Sequence, residues 1–339
     1  MQVKQILFTD VGKAELVDAE GETPKAGEVQ VKMSYTAVSC GTEKANLSGD
    51  VNVSILKKFT EAHFPRAVGY SGSGVVYAVG EGVTDFRPGD KVAACWGLHK
   101  EYCTLSQDKL VKVEEGVPMD LAAFSNITTF SMTGIRKTRL EIGESAIVMG
   151  LGILGIFSVA FLRAAGAYPV IAADPVAARR EFALGCGADY ALDPTAPGFA
   201  EEVKKLTGGG VNVAIEVSGV GAALNQVLDA MARFGRVALL GCTRNSDFTV
   251  DYYRKVHGPG ITLLGANTYA RPEKDSSEHF WTRSDDIRAF FRMVKGGRVD
   301  FSRLIGEIHA PQECPEVYSR LLTDRNFPIA VAFDWSRLQ

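Results

Sequence analysis

Met149-Gly150-Leu151-Gly152-Ile153-Leu154-Gly155 is read by what stands on either side of it. Residues 145–149 (SAIVM) read as a short buried strand, and residues 156–165 (IFSVAFLRAA) as an apolar helix closed by Gly166. A Gly-x-Gly-x-x-Gly run in that position is a dinucleotide-binding turn. Gly150 and Gly152 allow the tight turn and the close approach of backbone to a pyrophosphate, and Leu154 lies within the turn. Gly155 lets the helix pack on its strand with its N-terminus aimed at the phosphates. A second apolar run, residues 169–173 (PVIAA), ends in Asp174, nineteen positions after Gly155, where the motif expects a carboxylate on the adenosine ribose. The competing reading is a glycine-rich turn of some other α/β protein.

Asp174 bears on the cofactor. A carboxylate accepts hydrogen bonds from a free 2′-hydroxyl and repels a 2′-phosphate, so NAD is expected rather than NADP. Arg179 and Arg180 work against this if they reach the ribose, since an arginine there accommodates the phosphate; otherwise they form a solvated helix face.

A chain of 339 residues exceeds one ordinary core and is expected to form two domains. Its 46% hydrophobic and 23% charged content describes a soluble globular protein, and a net charge of −3 offers no basic field for nucleic acid. The six cysteines (40, 95, 103, 186, 242 and 314) have no disulfide-framework spacing, which fits a reducing compartment. Met1-Gln2-Val3-Lys4-Gln5 lacks a signal-peptide layout and no apolar stretch reaches spanning length, so a cytoplasmic protein without a membrane partner is expected.

The first part, to about residue 115, is β-rich: residues 29–33, 74–79, 91–94 and 110–113 alternate with turn clusters such as Arg87-Pro88-Gly89-Asp90. From about residue 120, helices alternate with strands (helices over 177–184, 200–206 and 222–232; strands over 190–192, 213–217, 236–240 and 261–264). That pattern signals a doubly wound parallel sheet. The tail adds a helix over 285–294 and a strand over 329–333, too little for a domain of its own. The expected division is therefore a β-rich domain from 1–122 and 268–339, with a dinucleotide-binding domain over 123–267 inserted in it.

Several spaced segments carry a family resemblance along nearly the whole chain. Val38-Ser39-Cys40-Gly41-Thr42-Glu43, Phe64-Pro65-Arg66-Ala67-Val68-Gly69, Gly80-Glu81-Gly82-Val83 and Phe86-Arg87-Pro88-Gly89-Asp90-Lys91-Val92 come in order before the glycine turn. Glu216-Val217-Ser218-Gly219 and Gly235-Arg236-Val237 follow it. Together they resemble the medium-chain dehydrogenase/reductase family, the zinc alcohol dehydrogenase and quinone reductase superfamily. The resemblance implies an α/β fold class: a GroES-like β-rich catalytic domain, a Rossmann cofactor domain, a substrate cleft between them, and a homodimer or homotetramer. It also implies cofactor contacts from Thr129, Arg179, Val217, Ser218, Leu240, Gly241 and Ala266.

The metal chemistry departs from the family. Cys40 matches the first catalytic-zinc ligand, but Tyr70 and Ser71 stand where the family has His-Glu, and the third ligand falls near Ser125-Asn126. One thiolate does not make the three-ligand open site that zinc catalysis requires. Of the family's structural-zinc cysteines only Cys95 and Cys103 remain, with His99 between them, and no metal is expected. Without zinc, the charge developing on the substrate oxygen needs hydrogen-bond donors or an acid/base. Tyr70 is the first candidate, the other reading being a ring that fills vacated space. Thr42 matches a hydroxyl relay position in the zinc members. Cys40 is a small hydrophobe or a nucleophile, and Glu43, His99 and Lys100 are charged groups of the cleft or of the surface. Trp96 and Tyr102 cover a sugar ring or belong to the core.

The expected function is a zinc-independent NAD(H)-dependent oxidoreductase interconverting an alcohol with a ketone or aldehyde on a small molecule, of polyol or sugar type. The alternatives are an NAD(P)H-dependent quinone or enone reductase and a cofactor-binding relative without activity.

Overall fold

A computed structural model describes residues 1–57, 59–246 and 248–339. In chain order, β1 (Gln2–Asp10), β2 (Lys13–Glu20) and β3 (Glu28–Ala37) lead into helix α1 (Cys40–Leu47). Next come β4 (Arg66–Ala67), β5 (Ser71–Val79), β6 (Lys91–Cys95), β7 (Tyr102–Ser106), β8 (Leu110–Lys112), α2 (Met119–Ala122) and α3 (Ser125–Thr138). The alternating stretch holds β9 (Ala146–Met149), α4 (Ile153–Ala164), β10 (Val170–Ala173), α5 (Ala177–Gly185), β11 (Tyr190–Leu192), α6 (Phe199–Thr207), β12 (Val211–Glu216), α7 (Gly221–Ala230), β13 (Met231–Leu239) and β14 (Thr262–Gly265). Helix α8 (Arg283–Lys295), β15 (Ile305–His309), α9 (Cys314–Thr323) and β16 (Ala330–Asp334) complete the chain.

Packing divides the chain into two units, Met1–Ile127 with Ile287–Gly297 and Phe301–Gln339, and Thr128–Asp286 with Arg298–Asp300. These boundaries fall later than 122/123 and 267/268. Residues 268–286 pack with the second unit, where Arg271 bonds to Thr129 and Asp286 pairs with Arg136, side-chain contacts that spacing does not reveal.

The first unit is built on a seven-stranded sheet, β15-β16-β3-β5-β6-β8 with β7 also on β3, and on a smaller sheet β2-β1-β4. Its core joins Ile6 and Phe8 of β1, Val29, Val31 and Met33 of β3, Val317 and Tyr318 of α9, and Val331 and Phe333 of β16. Phe8 meets Tyr318 edge-on with ring centroids 4.8 Å apart. This architecture is the GroES-like one expected.

The second unit is a six-stranded parallel sheet of order β11-β10-β9-β12-β13-β14. Strands β9 (AIVM) and β10 (VIAA) are buried at every position, as parallel strands covered on both faces must be. Helix α4 ends as its sequence dictates. Gly166 takes a positive φ of 95°, its N–H donates to the Arg163 carbonyl, and Ala167 donates to the Leu162 carbonyl, the pairing of a Schellman cap. Several element boundaries differ from expectation, and the end of one helix has a visible cause. The helix over 222–232 stops at Ala230, and Met231 enters β13 because it pairs with Val211, with a register shift before Val213 and a positive φ at Phe234. Among the described residues no helix is long and apolar enough to cross a membrane.

Candidate active site and cofactor cradle

In the second unit the expected cofactor residues stand at the carboxyl ends of strands. Gly150 follows β9, Asp174 follows β10, Val217 and Ser218 follow β12, Leu240 and Gly241 follow β13, and Ala266 follows β14. Strand order reverses between β9 and β12, the switch point where open α/β sheets bind ligands. The three glycines have separate roles. Gly150 has a φ of 100°, and a Cβ on it would lie 3.0 Å from the Ser218 nitrogen. A Cβ on Gly155 would sit 1.9 Å from the Gly150 carbonyl oxygen, so α4 approaches the turn only with glycine there. A Cβ on Gly152 would meet nothing within 4 Å: the open space is on the side of the α4 N-terminus, which favours anions. The cradle fits a pyrophosphate. Leu154, half-buried, serves through its carbonyl, which accepts from the Ser131 and Ser158 hydroxyls at 2.8 Å.

Asp174 is 4% exposed and accepts the Leu151 and Val176 N–H groups at 2.8 Å, tying the glycine turn to the end of β10. Arg179 stands 3.9 Å from its carboxylate. Arg180 turns away, donating to the Asp174 and Pro175 carbonyls and pairing with Asp193 at 3.3 Å.

On the other half of the sheet, Glu216 is a hub that sequence reasoning missed. Its buried carboxylate accepts the Ser218 and Gly219 N–H groups and the Ser218 hydroxyl, and its carbonyl accepts from Leu240 and Gly241. Burial pushes this carboxyl above its ordinary value, and the bonds from Ser218 and Gly219 oppose the shift. Thr129 is fully buried, and its carbonyl accepts from Arg271 Nη2 at 2.6 Å. Arg271 also donates to the Thr133 hydroxyl and lies 3.4 Å from Asp286, which pairs with Arg136 at 2.9 Å. No motif marks this cluster.

Burial pushes Asp286 up to about 6 from its ordinary 3.8, against the pull of both guanidiniums. Its folded pKa thus lies above the unfolded one, and between pH 4 and 6 the native state binds the extra proton. Stability from this group is full below about pH 4 and declines as pH rises through about 6, by roughly 3 kcal/mol for a shift of that size. Denaturant titrations across this range should show that slope in the wild type and lose it in Asp286→Asn, read as the difference between the two curves.

In the first unit, Cys40, Thr42 and Tyr70 are all half-buried. Cys40 opens α1, with Sγ 4.0 Å from the Val38 carbonyl, and the Thr42 carbonyl accepts from the Asn46 amide. Tyr70 lies just before β5 with its hydroxyl 2.5 Å from Ser39 Oγ and its ring tilted at 37° to Trp96, centroids 5.6 Å apart. Its carbonyl accepts from Trp96 N at 2.8 Å and from Asn126 Nδ2 at 2.6 Å.

His99 differs from expectation. It is fully buried, with Nδ1 2.7 Å from the Thr36 hydroxyl and Nε2 3.2 Å from Glu43 Oε2, so both ring nitrogens are spent inside the protein and neither is offered to a substrate. Glu43 is 1% exposed, accepting also from the Tyr318 hydroxyl at 2.6 Å and from the Ser39 N–H at 2.9 Å. Burial, reinforced by the Glu43 charge, holds the Tyr318 phenol well above its ordinary value, so it stays a donor. Trp335 Nε1 donates to the Thr36 hydroxyl at 3.0 Å. The expected cleft acid and base are therefore struts beneath the start of α1.

A catalytic zinc needs a thiolate, an imidazole or a carboxylate at each of three converging positions. The matching positions hold the Cys40 thiol, the Tyr70 phenol bonded to Ser39, and Ser125 with Asn126, whose amide is bonded to the Tyr70 carbonyl. This donor set does not fit the ion. Among the described residues no three His, Cys, Asp or Glu side chains are grouped to hold a metal. Cys103, in the region of the family's structural lobe, is buried, and that burial pushes its thiol up to about 11.

The family model for the alcohol dehydrogenase GroES-like domain matches residues 25–132, and the model described as zinc-binding dehydrogenase matches residues 154–282. An L-threonine 3-dehydrogenase of Thermococcus kodakarensis is 30% identical over 324 residues, spanning 86% of this chain and 86% of its own. A D-guloside 3-dehydrogenase of Shigella flexneri is 27% identical over 335 residues, spanning 93% and 95%. The chain belongs to the medium-chain dehydrogenase/reductase superfamily, and it is an oxidoreductase of the alcohol dehydrogenase type. Two solved structures share its fold at 20% identity, each covering 98% of this chain and 99% of its own. One is an alcohol dehydrogenase of Escherichia coli complexed with NADH (TM-score 0.83), the other a protein of Sinorhizobium meliloti bound to NADP (TM-score 0.81).

Proposed function

We propose that the chain is a zinc-independent, NAD(H)-dependent oxidoreductase that interconverts an alcohol with a ketone or aldehyde on a polyol or sugar-like substrate. The observation that carries this reading is the Tyr70 hydroxyl, held by Ser39 at the position where zinc members have an imidazole ligand. A D-guloside 3-dehydrogenase and an L-threonine 3-dehydrogenase among the relatives support a hydroxylated substrate.

NAD, when bound, supplies a carbon that accepts or returns a hydride. Gly150 and Gly152 with the α4 N-terminus would hold its pyrophosphate, and Asp174 its adenosine ribose. Both arginines beside the ribose position already face carboxylates, Arg179 that of Asp174 and Arg180 that of Asp193. That leaves little free positive charge for a 2′-phosphate and supports NAD. Thr129, Val217, Ser218, Leu240, Gly241 and Ala266 would shape the nicotinamide side. Tyr70 donates a hydrogen bond to the substrate oxygen and exchanges a proton with it, and Thr42 supplies a second hydroxyl. Cys40 fills space.

The test is turnover after exhaustive dialysis against EDTA, on D-sorbitol, meso-2,3-butanediol, methyl β-D-glucopyranoside and L-threonine with NAD or NADP, and on 1,4-benzoquinone and methyl vinyl ketone with NADH or NADPH. Oxidation of at least one alcohol, with NAD favoured about tenfold or more in kcat/KM as expected for a carboxylate at the ribose, supports the reading. Activity lost to the chelator and restored by zinc would overturn it, as would NADPH-driven reduction of the quinone or enone without alcohol oxidation.

A further inference from the structure

The geometry points to Ser39 as a positioning residue for the reaction: its hydroxyl orients the Tyr70 hydroxyl and replaces the proton that Tyr70 gives up. This rests on the reading of Tyr70 as the donor to substrate.

Ser39 is the N-cap residue of α1, and serine is favoured at that position because its oxygen accepts an N–H of the first helical turn. Here the side chain makes no such cap bond. Its Oγ lies instead 2.5 Å from Tyr70 Oη. The backbone of Ser39 is fixed from beneath: its N–H donates to Glu43 Oε1, and Glu43 is held in turn by Tyr318 and His99. Behind His99 stand Thr36 and Trp335. Tyr70 is fixed from its own side by Trp96 and Asn126, which both donate to its carbonyl. Two hydroxyls are therefore held in contact by separate supports, and one of them forgoes its usual helix-capping bond.

A serine hydroxyl accepts and donates at once, so the shared proton can change owner without moving either oxygen. In carbonyl reduction the substrate carbon gains a hydride from the reduced nicotinamide and the substrate oxygen gains the Tyr70 Oη proton. In the same step Tyr70 takes the Ser39 proton, and the Ser39 hydroxyl is afterwards reprotonated from solvent. The sum is one hydride and one proton added, with both hydroxyls restored. Oxidation runs the same path backwards.

The test uses full-length Ser39→Ala, Ser39→Thr and Tyr70→Phe with the most rapidly oxidised alcohol of the panel above. Ser39→Ala is expected to lower kcat about tenfold, the lower part of an acid–base contribution, with KM and Tm nearly unchanged. A proton inventory in mixed H2O and D2O should be bowed in the wild type, with two protons in flight, and linear in Ser39→Ala. Ser39→Thr should restore both rate and curvature. If Ser39→Ala keeps the wild-type rate and bowed inventory while Tyr70→Phe is impaired, the relay is wrong and Tyr70 stands. A loss in Ser39→Ala that comes with a fall in Tm and is not restored by threonine makes Ser39 structural and also overturns the relay. Full turnover by Tyr70→Phe, or no turnover of any alcohol by the wild type, removes the relay together with the reading beneath it.

Discussion

Tyr70→Phe is expected to lower kcat by about a hundredfold or more, within the usual range for losing a positioned general acid or base. The substitution removes one oxygen and leaves the ring against Trp96. The main-chain bonds from Trp96 and Asn126 to residue 70 do not involve the hydroxyl and persist. The Ser39 hydroxyl loses a partner worth about 1 kcal/mol. Steady-state kinetics beside a thermal melt separate the two effects: the expected result is a large fall in kcat, a small change in KM and a modest change in Tm. Cys40→Ala is the control. If the thiol only fills space, that variant keeps most of its turnover; if Cys40→Ala is silenced and Tyr70→Phe is not, the chemistry belongs to sulfur.

The two units differ in how much of them the sequence discloses. Strands of the second unit are buried on both faces, so AIVM and VIAA stand out as short apolar runs between glycines, and Asp174 follows at a fixed distance. Strands β1 and β2 were not expected, since each is covered on one side only and their burial alternates irregularly through lysines and glutamates. The site shows the same contrast. Glycine roles depend on local backbone and are legible, whereas His99 is buried by partners far away in the chain, Thr36, Glu43 and the Phe333 ring. Arg271 and Asp286 escaped for that reason too, since their partners Thr129 and Arg136 lie more than a hundred residues away, whereas Glu216 bonds to its close neighbours Ser218 and Gly219 inside a quoted motif and only its role as a hub went unread.

The buried bonds around Glu43 also explain how the Cys-Gly-Thr-Glu segment keeps its shape. A carboxylate taken out of water is costly unless every oxygen is met by donors. Glu43 meets that requirement with the Ser39 N–H on one oxygen and the Tyr318 and His99 side chains on the other. The residues nearest the family's ligand positions are therefore held by these hydrogen bonds at the start of α1.

The glycine turn yields the other large effect, and a pair of substitutions separates folding from binding. In Gly155→Ala the new methyl would lie 1.9 Å from the Gly150 carbonyl oxygen and 3.6 Å from Val148. The obstacle is backbone, not a flexible side chain, so α4 must shift away from the turn, and a loss of about 1–3 kcal/mol is expected from overpacking at such a contact. In Gly152→Ala the methyl meets no protein atom within 4 Å, so the fold tolerates it. That same open space is where the proposed pyrophosphate approaches the α4 N-terminus, and filling it removes close backbone contact with the phosphates. Gly152→Ala is expected to melt like the wild type yet bind NADH at least about tenfold more weakly, a penalty of about 1.4 kcal/mol. Gly155→Ala should lose on both counts. Calorimetric titration with NADH and a thermal melt of each variant decide the matter: wild-type affinity in a well-folded Gly152→Ala would place the phosphates elsewhere, and an unshifted melt in Gly155→Ala would show that helix and turn do not need their close approach.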